Sequence, residues 1–579
     1  MAYLENFRSF LDSGELSEAE IARLKELSED EKRENFEIPL EFGTAGMRGI
    51  LDVGTNRMNA FTVKRATLGL TNYINSLGCA EAERGVVISY DTRKFSAEFA
   101  CLCAGVLSKN KIRVYLFENV RPVPLCSYAI RRLNAFGGIM ITASHNPKIY
   151  NGYKVYGGDG AQLSPEATAG VVEFINKLDY FKIDSGASFS HKDIAGKDNF
   201  KIDEYITVIG KSVDEDYYSE ILKLSLSPNE VKAVGKDYKI VYTPIHGSGY
   251  KPVCEVLRRA GINPLVVAEQ ADPDPDFPTV RVPNPEEPDA LKLAIELAKR
   301  QNADLVIGTD PDCDRMGVAV KDTSGQFVLL NGNQIGSLLC DYILSRRKEQ
   351  GTLPDNAAIV KTIVTTELAR SIAKSYGAAV FDVLTGFKFI GEKIKEWEKS
   401  GDYAYIFGYE ESYGYLCGTH ARDKDAVVSS LLFAELACYL KSIGSSVYER
   451  LQALFEKHGY FAEKSISITY GGLDGMLTMK SIMQQVKSQS PRSIAGQIVA
   501  AISNFDTGVM SFADGNSQKI TLPKTNAVKY HMANGDWICI RPSGTEPKLK
   551  IYVAAKAQSQ DAAQAVCENY FEAMKKILK

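Results

Sequence analysis

Gly137-Gly-Ile-Met-Ile-Thr-Ala-Ser-His-Asn-Pro147 runs an apolar strand straight into a polar loop. Pro147 has no ladder donor and keeps the residue before it extended, so a strand has to end here. A short apolar run that stops at a hydroxyl suits a buried strand of an open α/β sheet, whose carboxyl end is where such sheets bind ligands. Ser144 is therefore the first candidate for chemistry.

Working outward, three segments share one pattern of β-branched strand, polar loop, amphipathic helix and second strand. They span residues 84–118, 238–269 and 357–386. Strand, crossover helix and strand make the βαβ unit of a parallel sheet. Each is followed by a further apolar strand that ends in charged or hydroxyl residues: GGIMITASHNP, ADLVIGTDPDCDR (303–315) and YAYIFGYEESYG (403–414). Three related α/β domains offering one loop each could close on a shared cleft. Beyond about residue 445 the strands shorten and a final helix follows, which predicts a separate α+β domain. The expected organisation is a helical extension over 1–35 and domains over 36–215, 216–328, 329–445 and 446–579, with the fourth as a lid hinged near 440–450. The Pro-rich stretch 272–288 reads as a structured loop of the second domain.

The 579 residues are too many for one core, and 45% hydrophobic with 24% charged residues is ordinary globular composition. A net charge of −4 argues against a general nucleic-acid or anionic-membrane surface. No apolar run reaches spanning length, the start shows no basic and apolar secretory pattern, and the 11 Cys form no CxxC pair. The expectation is a cytoplasmic multidomain enzyme or scaffold with small-molecule partners, monomeric or dimeric.

In Asp310-Pro-Asp-Cys-Asp-Arg315, three carboxylates at alternating positions can converge on a hard cation such as Mg²⁺ or Ca²⁺. An EF-hand is excluded, since its sixth and twelfth places hold Arg315 and Lys321. A phosphoaspartate hydrolase with Asp310 as nucleophile and Asp312 as acid stays open. Arg541-Pro-Ser-Gly-Thr-Glu-Pro547 sets a guanidinium and two hydroxyls in one turn, a composition suited to a phosphate dianion. Glu410 and Ser412 alternate, so in an extended loop they share a side and can grip sugar hydroxyls. His420-Ala-Arg-Asp-Lys-Asp425 reads equally as cations facing a phosphate or as a solvated charge run. A Ser144–His145 hydrolase pair is disfavoured, because neighbours on an extended chain point apart and no G-x-S-x-G elbow surrounds them.

Taken in order, FGTAGMRG (42–49), TASHNP (142–147), NGYK (151–154), GTDPDCDR (308–315), TGFKF (385–389), EESYG (410–414) and RPSGTEPK (541–548) closely resemble the α-D-phosphohexomutase family. The first and sixth motifs look most like the bacterial phosphoglucomutase branch that also resembles phosphopentomutases. The resemblance implies three related α/β domains and a C-terminal α+β domain around a central cleft. It implies interconversion of glucose 1-phosphate and glucose 6-phosphate through glucose 1,6-bisphosphate, with phosphomannomutase or phosphopentomutase activity as the alternative. Ser144 matches the phosphoserine, and Asp310, Asp312 and Asp314 the Mg²⁺ ligands, with a phosphoserine oxygen completing the site. Lys154, Arg48 and His145 fall among the catalytic positions. Arg315, Thr385, Gly386, Glu410, Ser412 and Lys424 match the sugar-binding positions, and Arg541, Ser543, Gly544 and Thr545 the phosphate clamp. Histidines that some members carry after the Thr-Gly and after the Glu-x-Ser are replaced here by Phe387 and by Tyr413 or Gly414, which removes proton transfer from those places.

Overall fold

The computed structural model describes residues 2–578 except 45, 187, 471–474 and 543–547. Strand Val86–Tyr90 is buried along its whole length, as its apolar run requires of a central parallel strand, and its one hydroxyl, Ser89 Oγ, donates to the Arg121 carbonyl at 3.1 Å. It pairs in parallel with Val114–Phe117 on one side and Gly137–Ile141 on the other. Tyr150–Gly157 then returns antiparallel beside Gly137–Ile141, and the Ser144 loop is the connection between them.

The same order recurs twice. Ile240–Thr243 lies parallel between Leu265–Val266 and Leu305–Thr309, and Met316–Lys321 returns antiparallel. Ala357–Thr362 lies parallel between Ala379–Val383 and Ala404–Glu410, and Gly414–Cys417 returns antiparallel. Crossover helices Ser96–Lys109, Tyr250–Ala260 and Glu367–Ser375 join the first two strands of each repeat. Helices Val123–Arg132, Pro288–Gln301 and Lys388–Ser400 join the second and third. The expected fold class is what the structure has: three α/β domains with mixed, mainly parallel sheets, then a C-terminal domain. That last domain is an antiparallel sheet including Tyr460–Thr469, Trp537–Pro542 and Lys548–Ala557, with helices Gly475–Ser488 and Gln560–Ile577.

The N-terminal helices Ala2–Leu11, Glu18–Glu26 and Glu29–Phe36 are not a loose extension. Ser17 with Glu20 and Ser28 with Glu31 form capping boxes that start the second and third. Phe10, Leu24 and Phe36 bury themselves with Phe61 of the first domain. At the other boundary, helix Val447–His458 lies just past residue 446, where the sequence reading starts the last domain. Its Val447, Leu451, Leu454 and Phe455 nevertheless join the core built by helices Gly332–Glu349 and Ala426–Ser442. Among the described residues no single helix is long and apolar enough to cross a membrane. Ala426–Ser442 and Val447–His458 qualify by composition only as a pair bent by 88°.

Candidate functional site

Ser144 adopts a left-handed backbone, φ +52°, and is 3% exposed. This overturns one expectation. The chain is not extended at Ser144, so its neighbour's ring is not turned away: His145 Nδ1 lies 3.1 Å from Ser144 Oγ. The buried hydroxyl donates to Asp310 Oδ2 at 3.0 Å. The His145 imidazole is held well below its ordinary pKa, first by desolvation and then by Arg315 and Arg48, so it is neutral. Arg48, on strand Met47–Ile50, reaches this loop by donating to Asn146 Oδ1 at 2.9 Å.

The carboxylates do converge, because Cys313 takes a left-handed backbone, φ +50°, and closes the turn. One oxygen from each of Asp310, Asp312 and Asp314 lies within 4.8 Å of the others, and all three residues are buried. Asp310 Oδ1 accepts the amides of Asp314 (3.0 Å) and Arg315 (2.9 Å). Asp312 Oδ2 accepts Lys154 Nζ at 2.8 Å, and the same ammonium is 3.6 Å from Asp314. Asp312 Oδ1 and Asp314 Oδ1 are buried without a hydrogen-bond partner. Two buried anionic oxygens left without partners are costly unless a cation takes them, so this donor set fits a hard divalent ion. The electrostatics agree. Burial and the neighbouring aspartates push the Asp310 carboxyl well above the usual range. Burial likewise raises Asp314, with Asp312 adding to it. Burial also acts on Asp312, but Lys154 outweighs it and holds this carboxyl well below the usual range. Lys154 itself is raised despite burial, because Asp312 and Asp314 face it; it is an ammonium here.

The third domain supplies Glu410 and Lys424. Glu410 closes strand Ala404–Glu410, and residues 411–413 form a tight turn with Tyr413 left-handed, φ +65°. The extended loop that was to set Glu410 and Ser412 on one side is therefore absent. Glu410 instead accepts the Gly386 amide at 2.8 Å, and burial pushes its carboxyl up to about 7. Gly414 has a steric reason: a Cβ there would come within 2.1 Å of Lys424 Cδ, so only glycine lets that side chain pass. Lys424 reaches Asp314 at 3.1 Å and Asp423 at 2.8 Å. The 420–425 run is not a solvated charge face. Arg422, Asp423, Lys424 and Asp425 are all buried, and Asp425 caps helix Ala426–Ser442 while accepting Tyr217 Oη at 2.9 Å. Arg315 points from the aspartate loop to Glu286 of the Pro-rich stretch, an ion pair that fixes the guanidinium.

Arg541 of the last domain donates to Thr385 Oγ1 and so bridges to the third. Ser543, Gly544 and Thr545 lie outside the described residues. Ser412 is half-buried in the turn that follows Glu410. The sequence reading missed Arg93, Asp91 and Thr142, which brace the Ser144 loop, and Glu286. The Asp-Thr-Arg after the first strand of the first repeat was their available signal, since polar residues at that strand end face the next loop.

Domain models of the phosphoglucomutase/phosphomannomutase family match this chain four times: α/β/α domain I at residues 39–182, II at 215–325, III at 331–458, and the C-terminal domain at 497–573. A phosphoglucomutase of Staphylococcus epidermidis is 39% identical over 545 residues, covering 94% of this chain and 95% of its own. Parafusin, a Paramecium phosphoglucomutase solved in an open form, superposes with a TM-score of 0.67 at 18% identity, over 93% of this chain and 96% of that one. A phosphoglucomutase/phosphomannomutase family protein of Burkholderia thailandensis gives 0.63 at 17% identity, over 93% and 97%. At those identities the two structures speak to the fold alone. The aspartate cluster is consistent with a metal site of the matched family.

Proposed function

The chain belongs to the phosphoglucomutase/phosphomannomutase family and is a phosphohexomutase, an intramolecular phosphotransferase; on that premise we propose that it interconverts glucose 1-phosphate and glucose 6-phosphate through Ser144 and glucose 1,6-bisphosphate. Sugar phosphates are the substrates typical of the superfamily. The glucose assignment is supported by the 39% identity to a staphylococcal phosphoglucomutase.

One observation carries the mechanism: Ser144 Oγ sits 3.0 Å from Asp310, beside two partnerless carboxylate oxygens and an ammonium on the same aspartates. Phosphorylated Ser144 passes its phosphoryl group to a sugar hydroxyl: the P–Oγ bond breaks as the new P–O bond forms, the hydroxyl proton leaves to a base of the cleft, and the departing Oγ takes up a proton. The bisphosphate turns over, and its other phosphate returns to Ser144. When the Ser144 oxygen attacks, its proton has an acceptor in reach, Asp310 Oδ2 at 3.0 Å, while His145 Nδ1 lies 3.1 Å from the same oxygen. Lys154, which falls among the catalytic positions of the family, starts as an ammonium, so it serves first as the donor to a leaving oxygen. Mg²⁺ on Asp310, Asp312 and Asp314 would neutralise charge on the transferring group. Arg315, Glu410, Lys424, Ser412, Thr385 and Gly386 would orient the sugar, and Arg541 with Ser543, Gly544 and Thr545 would hold the far phosphate. The last domain would close the cleft against water.

Asp310 as nucleophile is disfavoured because both its oxygens are already engaged, by two amides and by Ser144. The test supplies glucose, mannose and ribose 1-phosphates separately, with Mg²⁺ and the matching bisphosphate, and follows them by phosphorus NMR. Fast conversion of glucose 1-phosphate alone is expected. Release of inorganic phosphate without isomerisation would overturn the mutase assignment, and preference for another sugar would overturn the glucose one.

A further inference from the structure

Left-handed backbone is strained for a residue with a side chain and persists only where surroundings over-determine it. Ser144 is held in that geometry from both ends. Its amide donates to Thr142 Oγ1 at 2.8 Å. Its carbonyl accepts Arg93 Nη2 at 2.6 Å. The same guanidinium also donates to the carbonyls of Asn146, Pro147 (2.9 Å) and Tyr150 (3.0 Å). One side chain thus gathers four carbonyls of residues 144–150 from beneath the loop.

Arg93 is itself fixed. It is 3% exposed, and its Nε lies 3.3 Å from Asp91. Asp91 Oδ1 accepts the Arg93 amide (2.9 Å) and Ser96 Oγ (2.8 Å), and Oδ2 accepts Thr142 Oγ1 at 2.6 Å. Asp91 therefore ties together the two groups that hold the ends of Ser144. The corresponding loops of the other repeats brace their hairpins more lightly. Ser248 donates by amide and hydroxyl to the Pro311 carbonyl, each at 2.8 Å. Thr362 and Thr365 donate to Glu411 at 3.1 and 3.3 Å. The heaviest of these three braces sits under the serine.

We propose that Arg93 is a positioning residue of phosphoryl transfer, keeping Ser144 left-handed so that the phosphoryl group on its oxygen meets a sugar hydroxyl in preference to water. This rests on the reading of Ser144 as phosphoryl carrier. In the productive step P–Oγ breaks while P–O to the sugar forms and the hydroxyl proton leaves to a base of the cleft. In the wasteful step the new bond is to water, whose proton leaves likewise, giving inorganic phosphate and free Ser144. A sugar held by clamps needs the phosphorus in one place, and misplacement of about 1 Å costs about a hundredfold. Water is small and mobile, so it loses far less when the loop shifts. A planar fork with five donors can span the four carbonyls, whereas an ammonium cannot.

The test compares wild type, Arg93→Lys, Arg93→Met and Ser144→Ala as full-length chains with Mg²⁺, glucose 1-phosphate and glucose 1,6-bisphosphate. It measures kcat and KM for isomerisation and inorganic phosphate released per isomerisation. For Arg93→Lys we expect kcat down ten- to a hundredfold, KM within threefold, and phosphate released per isomerisation up at least tenfold. Arg93→Met should go further in the same direction; where it does not fold, the lysine variant decides. An arginine that merely supports the fold would lower the active fraction, so isomerisation and phosphate release would fall together and their ratio would stay put. That unchanged ratio would overturn the proposal. Wild-type turnover in Ser144→Ala would instead sink the reading beneath it, whatever Arg93 does.

Discussion

Replacing Lys154 with Met should lower turnover and yet tighten the binding of Mg²⁺. The Lys154 ammonium sits 2.8 Å from Asp312 Oδ2 and 3.6 Å from Asp314 Oδ2. The partnerless oxygens are the other ones on the same two carboxylates, Asp312 Oδ1 and Asp314 Oδ1. An ion bound there at about 2.1 Å would lie about 5 Å from the ammonium. At an effective dielectric of about 20, a unit charge about 5 Å from a divalent ion repels it by about 7 kcal/mol. Relaxation and water reduce that figure, but a fifth of it, about 1.4 kcal/mol, is already tenfold in Kd. Removing the ammonium also leaves the aspartates less compensated in the free protein, which favours the ion further. Met keeps an unbranched apolar stem of similar length in a buried site. Titration calorimetry of metal-free protein with Mg²⁺ should show at least tenfold tighter binding, with circular dichroism confirming the fold and kcat reduced. Affinity that is unchanged or weaker would refute the idea that Lys154 and the metal share these carboxylates.

Ser144→Ala should abolish mutase turnover, by at least a thousandfold in kcat, while losing only about 1–2 kcal/mol with its bond to Asp310; near-native turnover would remove the serine from the mechanism. Arg541→Ala breaks the bridge to Thr385 and should raise KM for the sugar phosphate, whereas a loss confined to kcat would place Arg541 at the transition state. Burial pushes Glu463, on strand Tyr460–Thr469, up to about 7 from 4.5, with Thr366 and Asn333 offsetting part of it. A raised carboxyl supports the fold fully below its unfolded pKa, and that support is lost as pH rises through about 7. Glu463→Gln should therefore unfold at a higher temperature than wild type at pH 8 but not at pH 5; the difference is of the order of 3 kcal/mol, and a pH-independent difference would contradict it.

Sequence by itself determined the repeats, their order and the loops that carry chemistry. Period and apolar runs report on local backbone hydrogen bonding, which is why Val86–Tyr90, Ile240–Thr243 and Ala357–Thr362 could be read as central strands. It also placed three aspartates close enough to converge, since a turn of six residues leaves them little room to part. Tertiary structure decided what those residues face and how they are charged. Ser144 meets Asp310 across 166 positions of chain, and Lys154 meets Asp312 across 158. Nothing local encodes such a meeting. The left-handed turn at Ser144 came from the grip of Arg93 and Thr142, so a loop read as extended pointed its histidine the wrong way. The charges at 422–425 looked fit for water, but they are buried because each found a partner on another domain or on a neighbouring turn, such as Lys424 on Asp314 and Tyr156 on Asp423. Backbone pattern is a short-range property of a chain, whereas desolvation and charge pairing depend on everything packed around a group, and those set the chemistry of this cleft.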